Sequence, residues 1–127
     1  MCRLTAYTGP PLAADALVFG GTHSLLLQSY VPQELLYGHV NADGYGVVWY
    51  HDGKPVRTGS SRPIWQDNDL PALLESVSSS TILATVRNAT PGIPVDGGNQ
   101  PLVHMRWSFV LNGFVENFRA SHMRGLR

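Results

Sequence analysis

The chain lacks the features that mark several common protein classes. It carries one cysteine in 127 residues, which excludes an internal disulfide and therefore a secreted disulfide scaffold. Nowhere do about 18 apolar residues run together, so the sequence predicts no membrane-spanning helix. Its amino terminus has no long apolar stretch of the kind found in secretory signals. From these absences we predict a cytoplasmic protein.

An excess of charge of either sign is also missing. Nine basic residues balance nine acidic ones, and no basic run occurs. A nucleic-acid partner is therefore not expected, and a small polar or zwitterionic ligand fits better. The five histidines lack the close spacing of a metal site, so we expect neither a metal nor an organic cofactor. The length and the 43% hydrophobic content suit one domain with a modest core.

Local patterns predict a mixture of strands and short helices. The expected strands cover residues 2–8 (ending at Gly9-Pro10-Pro11), 81–86 and 107–111, the last two as buried apolar runs. Asp52-Gly53 between two strand-like runs indicates a hairpin. Helices are expected over residues 12–19, 23–30 and 70–77, the last capped by Asn68 or Asp69, with Leu70, Leu73 and Leu74 on one face and Ser78-Ser79-Ser80 at its end. The tryptophans Trp49, Trp65 and Trp107 are expected in the core or in a pocket wall.

Cys2 becomes the amino-terminal residue if Met1 is removed. Such a cysteine carries its own α-amine, whose ordinary pKa of about 7.7–8.0 suits it to take the thiol proton. No catalytic histidine is then needed. A solitary cysteine is more often a small buried apolar residue, so its position alone does not make it a nucleophile.

Two further segments carry side chains suited to binding an amide substrate. Arg87 follows a predicted buried strand, where its guanidinium is suited either to a substrate carboxylate or to a structural salt bridge. Asn112 and Gly113 can present a side-chain amide and a backbone N–H to an oxyanion, although Asn-Gly is also a common turn. The segment Asn99-Gln100-Pro101-Leu102 follows a glycine-rich loop and is expected to return the chain towards this site.

Four motifs, taken in their order along the chain, resemble those of the class II glutamine amidotransferase domain, a branch of the N-terminal nucleophile hydrolases. The motifs are Met-Cys-Arg-Leu-x-Ala-Tyr-x-Gly-Pro-Pro at the start, Asn41 to Tyr50, Val86 to Gly92, and Asn112-Gly113. More narrowly, the opening together with His23-Ser24-Leu25, Gln28-Ser29 and Pro63-Ile64-Trp65 is similar to the γ-glutamyl-hercynylcysteine sulfoxide amidohydrolases of ergothioneine biosynthesis.

The resemblance implies an α+β fold, the αββα sandwich of N-terminal nucleophile hydrolases, here only its N-terminal portion. Residues 1–127 would form a partial domain of this class. It also implies that Cys2 attacks a γ-glutamyl amide, that Asn112 and Gly113 stabilise the oxyanion, and that Arg87, Asn88 and Thr90 bind the small-molecule γ-glutamyl substrate. The implied reaction in the ergothioneine branch is hydrolysis of γ-glutamyl-hercynylcysteine S-oxide to glutamate and hercynylcysteine S-oxide.

The sequence departs from the family pattern in three ways. Leu111 stands where many members have histidine, and Val40, Asn41 and Ala42 replace a segment that often holds arginine in the amidotransferases. An acidic residue that receives the substrate α-amine in the family lies downstream of Asn-Gly, and the chain ends before it, so a truncated member is expected. Two alternatives follow: a glutaminase domain that releases ammonia from glutamine, or an inactive fragment or glutamyl-binding module. The oligomeric state stays open.

Overall fold

The computed structural model describes residues 2–30, 43–88 and 100–113, which form six strands, three α-helices and one short 3-10 helix. The strands are β1 (Arg3–Ala13), β2 (Tyr45–His51), β3 (Lys54–Ser60), β4 (Ser78–Val86), β5 (Leu102–His104) and β6 (Trp107–Phe109). The helices are α1 (Ala14–Phe19), α2 (Leu25–Tyr30) and α3 (Leu70–Glu75), with the 3-10 helix at Ile64–Gln66.

Four strands form one antiparallel sheet in the order β1-β4-β2-β3. Its register places Tyr45 opposite Val86, Val47 opposite Ala84 and Trp49 opposite Ile82, so these six side chains share one face. The helices cover that face, and buried side chains of all three helices join the same apolar cluster. The cluster residues of the helices are Ala14, Val18, Leu25, Leu70 and Leu74.

The opposite face of the sheet carries the β5–β6 hairpin. Tyr50 of β2 donates its hydroxyl to the backbone oxygen of Arg106 at 3.0 Å and lies 2.8 Å from the Ser108 hydroxyl. Val48, two residues earlier and on the same face, is fully buried. Helices thus cover one side of the sheet, and the hairpin contacts β2 on the other, where Leu4 of β1 is 41% exposed; this mixture of helices and antiparallel strands confirms the α+β class.

The hairpin predicted at Asp52-Gly53 is confirmed. Both turn residues have positive φ, 50° and 75°, the conformation that a two-residue turn between antiparallel strands needs. The two predicted N-terminal helices are present too, but both begin two residues later than expected. For α1 the reason is that residues 12 and 13 belong to β1, whereas α2 begins at Leu25 instead of His23.

The first strand does not stop at Gly9-Pro10-Pro11. β1 continues to Ala13, and its pairing with β4 is interrupted between Thr8 and Leu12. The prolines cannot donate to a ladder, and they lie in this irregular stretch of an edge strand, where no donor is needed.

Two predictions for the third helix were wrong: the residue that caps its start and the set of leucines that it buries. Asp69 makes no side-chain cap; the Asp67 carboxylate instead accepts the N–H groups of Asp69 and Leu70, each at 3.1 Å. Leu70 and Leu74 are buried, whereas Leu73 is 40% exposed. The helix therefore packs through a narrower stripe than the leucine spacing indicated.

The predicted limits of two strands were also wrong. Ser78-Ser79-Ser80 opens β4 instead of ending the helix, because the Ser79 hydroxyl donates to the Tyr50 oxygen at 2.7 Å and accepts the Tyr50 N–H at 3.2 Å. β6 is short and not buried: Trp107 is 66% exposed and Phe109 is 57% exposed. Trp49 is in the core and Trp65 lines a cleft, as expected, but Trp107 does neither in the described part of the chain.

Candidate functional site

The predicted site residues that the structure describes lie at one end of the four-stranded sheet. Arg3, at the start of β1, pairs with Val86, at the end of β4, and Val86 also pairs with Tyr45, at the start of β2. Because neighbouring strands run in opposite directions, the start of β1 and the end of β4 meet at this end of the sheet, the site edge. Cys2 directly precedes β1, and Arg87 directly follows β4.

Backbone hydrogen bonds join the segments at this edge. Arg87 donates its N–H to the Gly44 oxygen at 2.8 Å, and Asp43 donates its N–H to the Arg87 oxygen at 3.0 Å. The Thr85 hydroxyl donates to the Arg3 oxygen at 2.8 Å. The end of β4 is therefore held between the segments that begin β1 and β2.

Cys2 is half-buried, and its thiol contacts the end of β4. The Sγ atom lies 3.8 Å from the Asn88 backbone oxygen, a distance suited to a weak S–H hydrogen bond. Cys2 directly precedes Arg3, the first residue of β1, so this contact places the thiol at the end of the sheet where Arg3 pairs with Val86.

Asn112 reaches Cys2 from the far end of the described chain. Its side-chain amide Nδ2 donates to the Cys2 backbone oxygen at 3.0 Å, across 110 positions in sequence. An amide NH2 has a second hydrogen, which this bond does not use. Gly113 follows with a φ of 151°, and a Cβ placed there would meet no atom within 4 Å. The Asn-Gly turn thus lies beside the thiol-bearing residue and is exposed.

Five of the six predicted site residues lie among the residues that the structure describes. Cys2, Arg87, Asn88, Asn112 and Gly113 lie at the same edge, through the contacts above. Thr90 lies outside the described residues, as do Val40, Asn41 and Ala42.

The return of the chain to the site at Gln100 and Pro101 was predicted, but the residue that it contacts was not. Gln100 and Pro101 do return the chain to the site: a Cβ on Gly46 would lie 2.0 Å from the Gln100 oxygen, so the two backbones are in close contact. The sequence analysis did not identify Gly46 as the residue that Gln100 contacts. The available signal was an isolated glycine within a buried strand, which often marks close approach of another backbone.

Away from these residues, a pair of polar side chains lies on the helix-covered face of the sheet. The Tyr45 hydroxyl donates to the Asp67 carboxylate, and Tyr45 is 1% exposed. Burial raises the pKa of Tyr45 well above its ordinary value, and the Asp67 carboxylate raises it further. Asp67 also holds the first turn of α3, so this pair ties β2 to the helix layer.

The described residues give no sign of a metal centre or a membrane span. Within residues 2–30, 43–88 and 100–113, no three His, Cys, Asp or Glu side chains are grouped so as to hold a metal ion. None of the helices in these ranges has the length and apolar character needed to cross a bilayer.

Comparison with known proteins supports the resemblance drawn from the motifs. The chain is 34% identical over 117 residues to the γ-glutamyl-hercynylcysteine sulfoxide hydrolase of Mycobacterium tuberculosis (strain CDC 1551 / Oshkosh), covering 91% of this chain and 50% of that protein. It is 35% identical over 118 residues to the protein of the same name from Mycolicibacterium smegmatis, covering 91% and 52%. The chain spans about half the length of the curated relatives it matches. No protein-family model matches it.

Among solved structures, the chain is similar to a glutamine aminotransferase class-II domain protein from Silicibacter pomeroyi. The TM-score is 0.60 at 24% identity, over 95% of this chain and 41% of that one. This likeness shows that the two share a fold. The resemblance predicted from the motifs is therefore confirmed, and the fold is that of a portion of a class II glutamine aminotransferase domain.

Proposed function

We propose that this chain, a homologue of the γ-glutamyl-hercynylcysteine sulfoxide hydrolases, is part of a class II glutamine amidotransferase-like domain that hydrolyses a γ-glutamyl amide bond. Its nucleophile is Cys2 after removal of Met1. The observation that carries the proposal is the 3.0 Å hydrogen bond from the Asn112 amide to the Cys2 backbone oxygen. It supports a site in which an oxyanion donor lies beside the attacking sulfur.

In the first step, the Cys2 α-amine accepts the thiol proton and the sulfur attacks the γ-glutamyl carbonyl carbon. The carbonyl oxygen gains a negative charge. The second N–H of the Asn112 amide and the backbone N–H of Gly113 stabilise this charge, a contribution that in comparable sites is worth about 3–4 kcal/mol per donor.

In the second step, the tetrahedral intermediate collapses to a thioester and the C–N bond breaks. The protonated α-amine of Cys2 gives its proton to the departing nitrogen. Water then attacks the thioester with the same amine as general base, which releases glutamate and restores the thiol. No metal or redox partner takes part in this sequence of steps.

Substrate binding is assigned to the end of β4. The Arg87 guanidinium offers paired donors to the α-carboxylate of the glutamyl group. Asn88 and Thr90 follow on the same segment and contribute polar contacts. The Arg87 backbone is held by Gly44 and Asp43, which fixes the base of this side chain relative to Cys2.

The natural substrate proposed is γ-glutamyl-hercynylcysteine S-oxide, because the chain's named relatives are hydrolases of that sulfoxide. Glutamine is the second candidate, since the solved structure that shares the fold is a glutamine aminotransferase class-II domain protein. Both carry the same γ-glutamyl group and differ in the leaving group, which is ammonia for glutamine and the amine of hercynylcysteine S-oxide for the sulfoxide.

Release of glutamate from each compound tests the proposal. Purified Met1-free protein is incubated with the sulfoxide or with glutamine, and free glutamate is measured over time. We expect faster release from the sulfoxide, and at least a thousandfold loss in Cys2→Ala, whose small second residue still permits removal of Met1. Release that persists in Cys2→Ala contradicts the assigned nucleophile. A folded wild-type protein that releases glutamate from neither compound indicates the non-catalytic alternative.

A further inference from the structure

Gln100 lies outside the groups assigned to chemistry or substrate binding, yet it contacts both the sheet and Leu111, the residue that precedes the Asn-Gly turn. Its backbone oxygen rests against Gly46 of β2, so closely that a Cβ at Gly46 would be 2.0 Å from it. The next residue, Pro101, is buried, and its backbone oxygen accepts the Nε–H of Arg57 at 3.0 Å. Contacts with two neighbouring strands of the sheet therefore hold the Gln100 backbone in place.

The Gln100 side chain extends from this fixed backbone to the residue that precedes the turn. Its Oε1 atom accepts the backbone N–H of Leu111 at 2.5 Å. Leu111 lies two residues beyond the end of β6, so its N–H has no place in the β5–β6 ladder. The Gln100 side chain thus joins the residues on either side of the β5–β6 hairpin, Gln100 before it and Leu111 after it.

One residue later the chain reaches Asn112, whose amide donates to the Cys2 oxygen. The contacts therefore run in sequence from Gly46 to Gln100, to Leu111, to Asn112 and to Cys2. Asn112 and Gly113 are themselves exposed, and the Gln100 bond joins the preceding residue, Leu111, to a backbone that contacts Gly46 of the sheet. Oxyanion donors lose their effect unless they are held within about 0.5 Å of the productive position.

We propose that Gln100 is a positioning residue for the Asn112–Gly113 oxyanion turn. The inference rests on the proposed function. It assigns to Gln100 no contact with substrate: its part is to hold the Leu111 N–H, which fixes where the Asn112 amide and the Gly113 N–H point relative to the Cys2 sulfur.

The test compares two substitutions of similar size. Gln100→Met removes the acceptor while keeping the length of the side chain, and Gln100→Glu keeps an acceptor oxygen. The kcat and KM for glutamate release, together with the thermal midpoint, are measured for each. We expect Gln100→Met to lower kcat by roughly 10- to 100-fold with little change in KM, and Gln100→Glu to recover most of that loss. His104→Gln, on the exposed side of the same hairpin, is the control and should leave kcat unchanged.

A double-mutant cycle separates positioning from general destabilisation. If Gln100 acts through Asn112, then Gln100→Met should cost far less in an Asn112→Ala background than in the wild type. An unchanged kcat in Gln100→Met, or losses that multiply fully in the double variant, overturns the inference while leaving the proposed hydrolase intact. A folded wild type without any turnover overturns both.

Discussion

Adding one methyl group at Gly46 should be among the most damaging small changes to this chain. The Cβ of Gly46→Ala would lie 2.0 Å from the Gln100 oxygen and 2.8 Å from its carbonyl carbon, whereas ordinary contact begins near 3.4 Å. One of the two backbones must therefore move by about 1.4 Å. β2 is an inner strand bonded on both sides, so the movement falls on Gln100 and Pro101.

Overpacking of this kind costs about 1–3 kcal/mol, and we expect about 3 kcal/mol because both contacting atoms belong to backbone. Urea unfolding followed by far-UV circular dichroism measures the loss. Exchange of the Leu111 amide, measured by NMR, should also accelerate because its acceptor has moved.

Gly53→Ala provides the matched control. Gly53 has a positive φ, 75°, and no atom lies within 4 Å of an added Cβ. It should lose about 1 kcal/mol from backbone strain alone, with no selective effect on Leu111. A Gly46→Ala variant whose unfolding free energy matches the wild type within about 0.5 kcal/mol would refute the close approach of Gln100 to the sheet.

Three further predictions concern the helix-covered face. Burial raises the pKa of Tyr45 above 10.0, so the unfolded state loses this proton first as pH rises; the unfolding free energy of the wild type should fall by about 1 kcal/mol more than that of Tyr45→Phe between pH 10 and 11. Equal pH dependence in chemical denaturation of the two proteins would contradict this. Asp67→Ala removes the acceptor of the Tyr45 hydroxyl and of two helix N–H groups, and should cost about 2–3 kcal/mol in urea unfolding, whereas a loss below about 0.5 kcal/mol would exclude the cap. Leu74→Ala should cost about 2–5 kcal/mol, while exposed Leu73→Ala on the same helix should stay within about 0.5 kcal/mol, and equal losses would show that the helix packs differently.

Features set by local chemistry could be predicted from the sequence. The Asp52-Gly53 hairpin follows from the positive φ values that the turn needs, which its two residues tolerate. The apolar run at residues 81–86 predicted a buried strand because every position in it is apolar or β-branched. The order of motifs, with Cys2 first and Asn112 last, predicted the family resemblance.

Features set by distant partners could not be predicted in the same way. β1 continues through two prolines only because β4 tolerates an interruption in pairing there. Three serines begin β4 because the Ser79 hydroxyl bonds to the backbone of β2, 29 positions away in sequence. The apolar pattern of Trp107 and Phe109 resembles that of a buried strand, but their exposure depends on what packs against the hairpin. In the site, the Gln100 to Leu111 bond has no local signature, since it joins a side chain to a backbone 11 residues away.

Covalent labelling of the folded chain tests most directly whether Cys2 acts as an amino-terminal nucleophile. Protein with and without Met1 is incubated with a glutamine-like diazoketone, and the intact mass and the modified residue are determined by mass spectrometry. A single adduct on Cys2, confined to chains that begin at this residue, is the predicted result. An unmodified thiol in folded chains that lack Met1, or equal labelling of chains that retain it, would contradict the role assigned to the free α-amine.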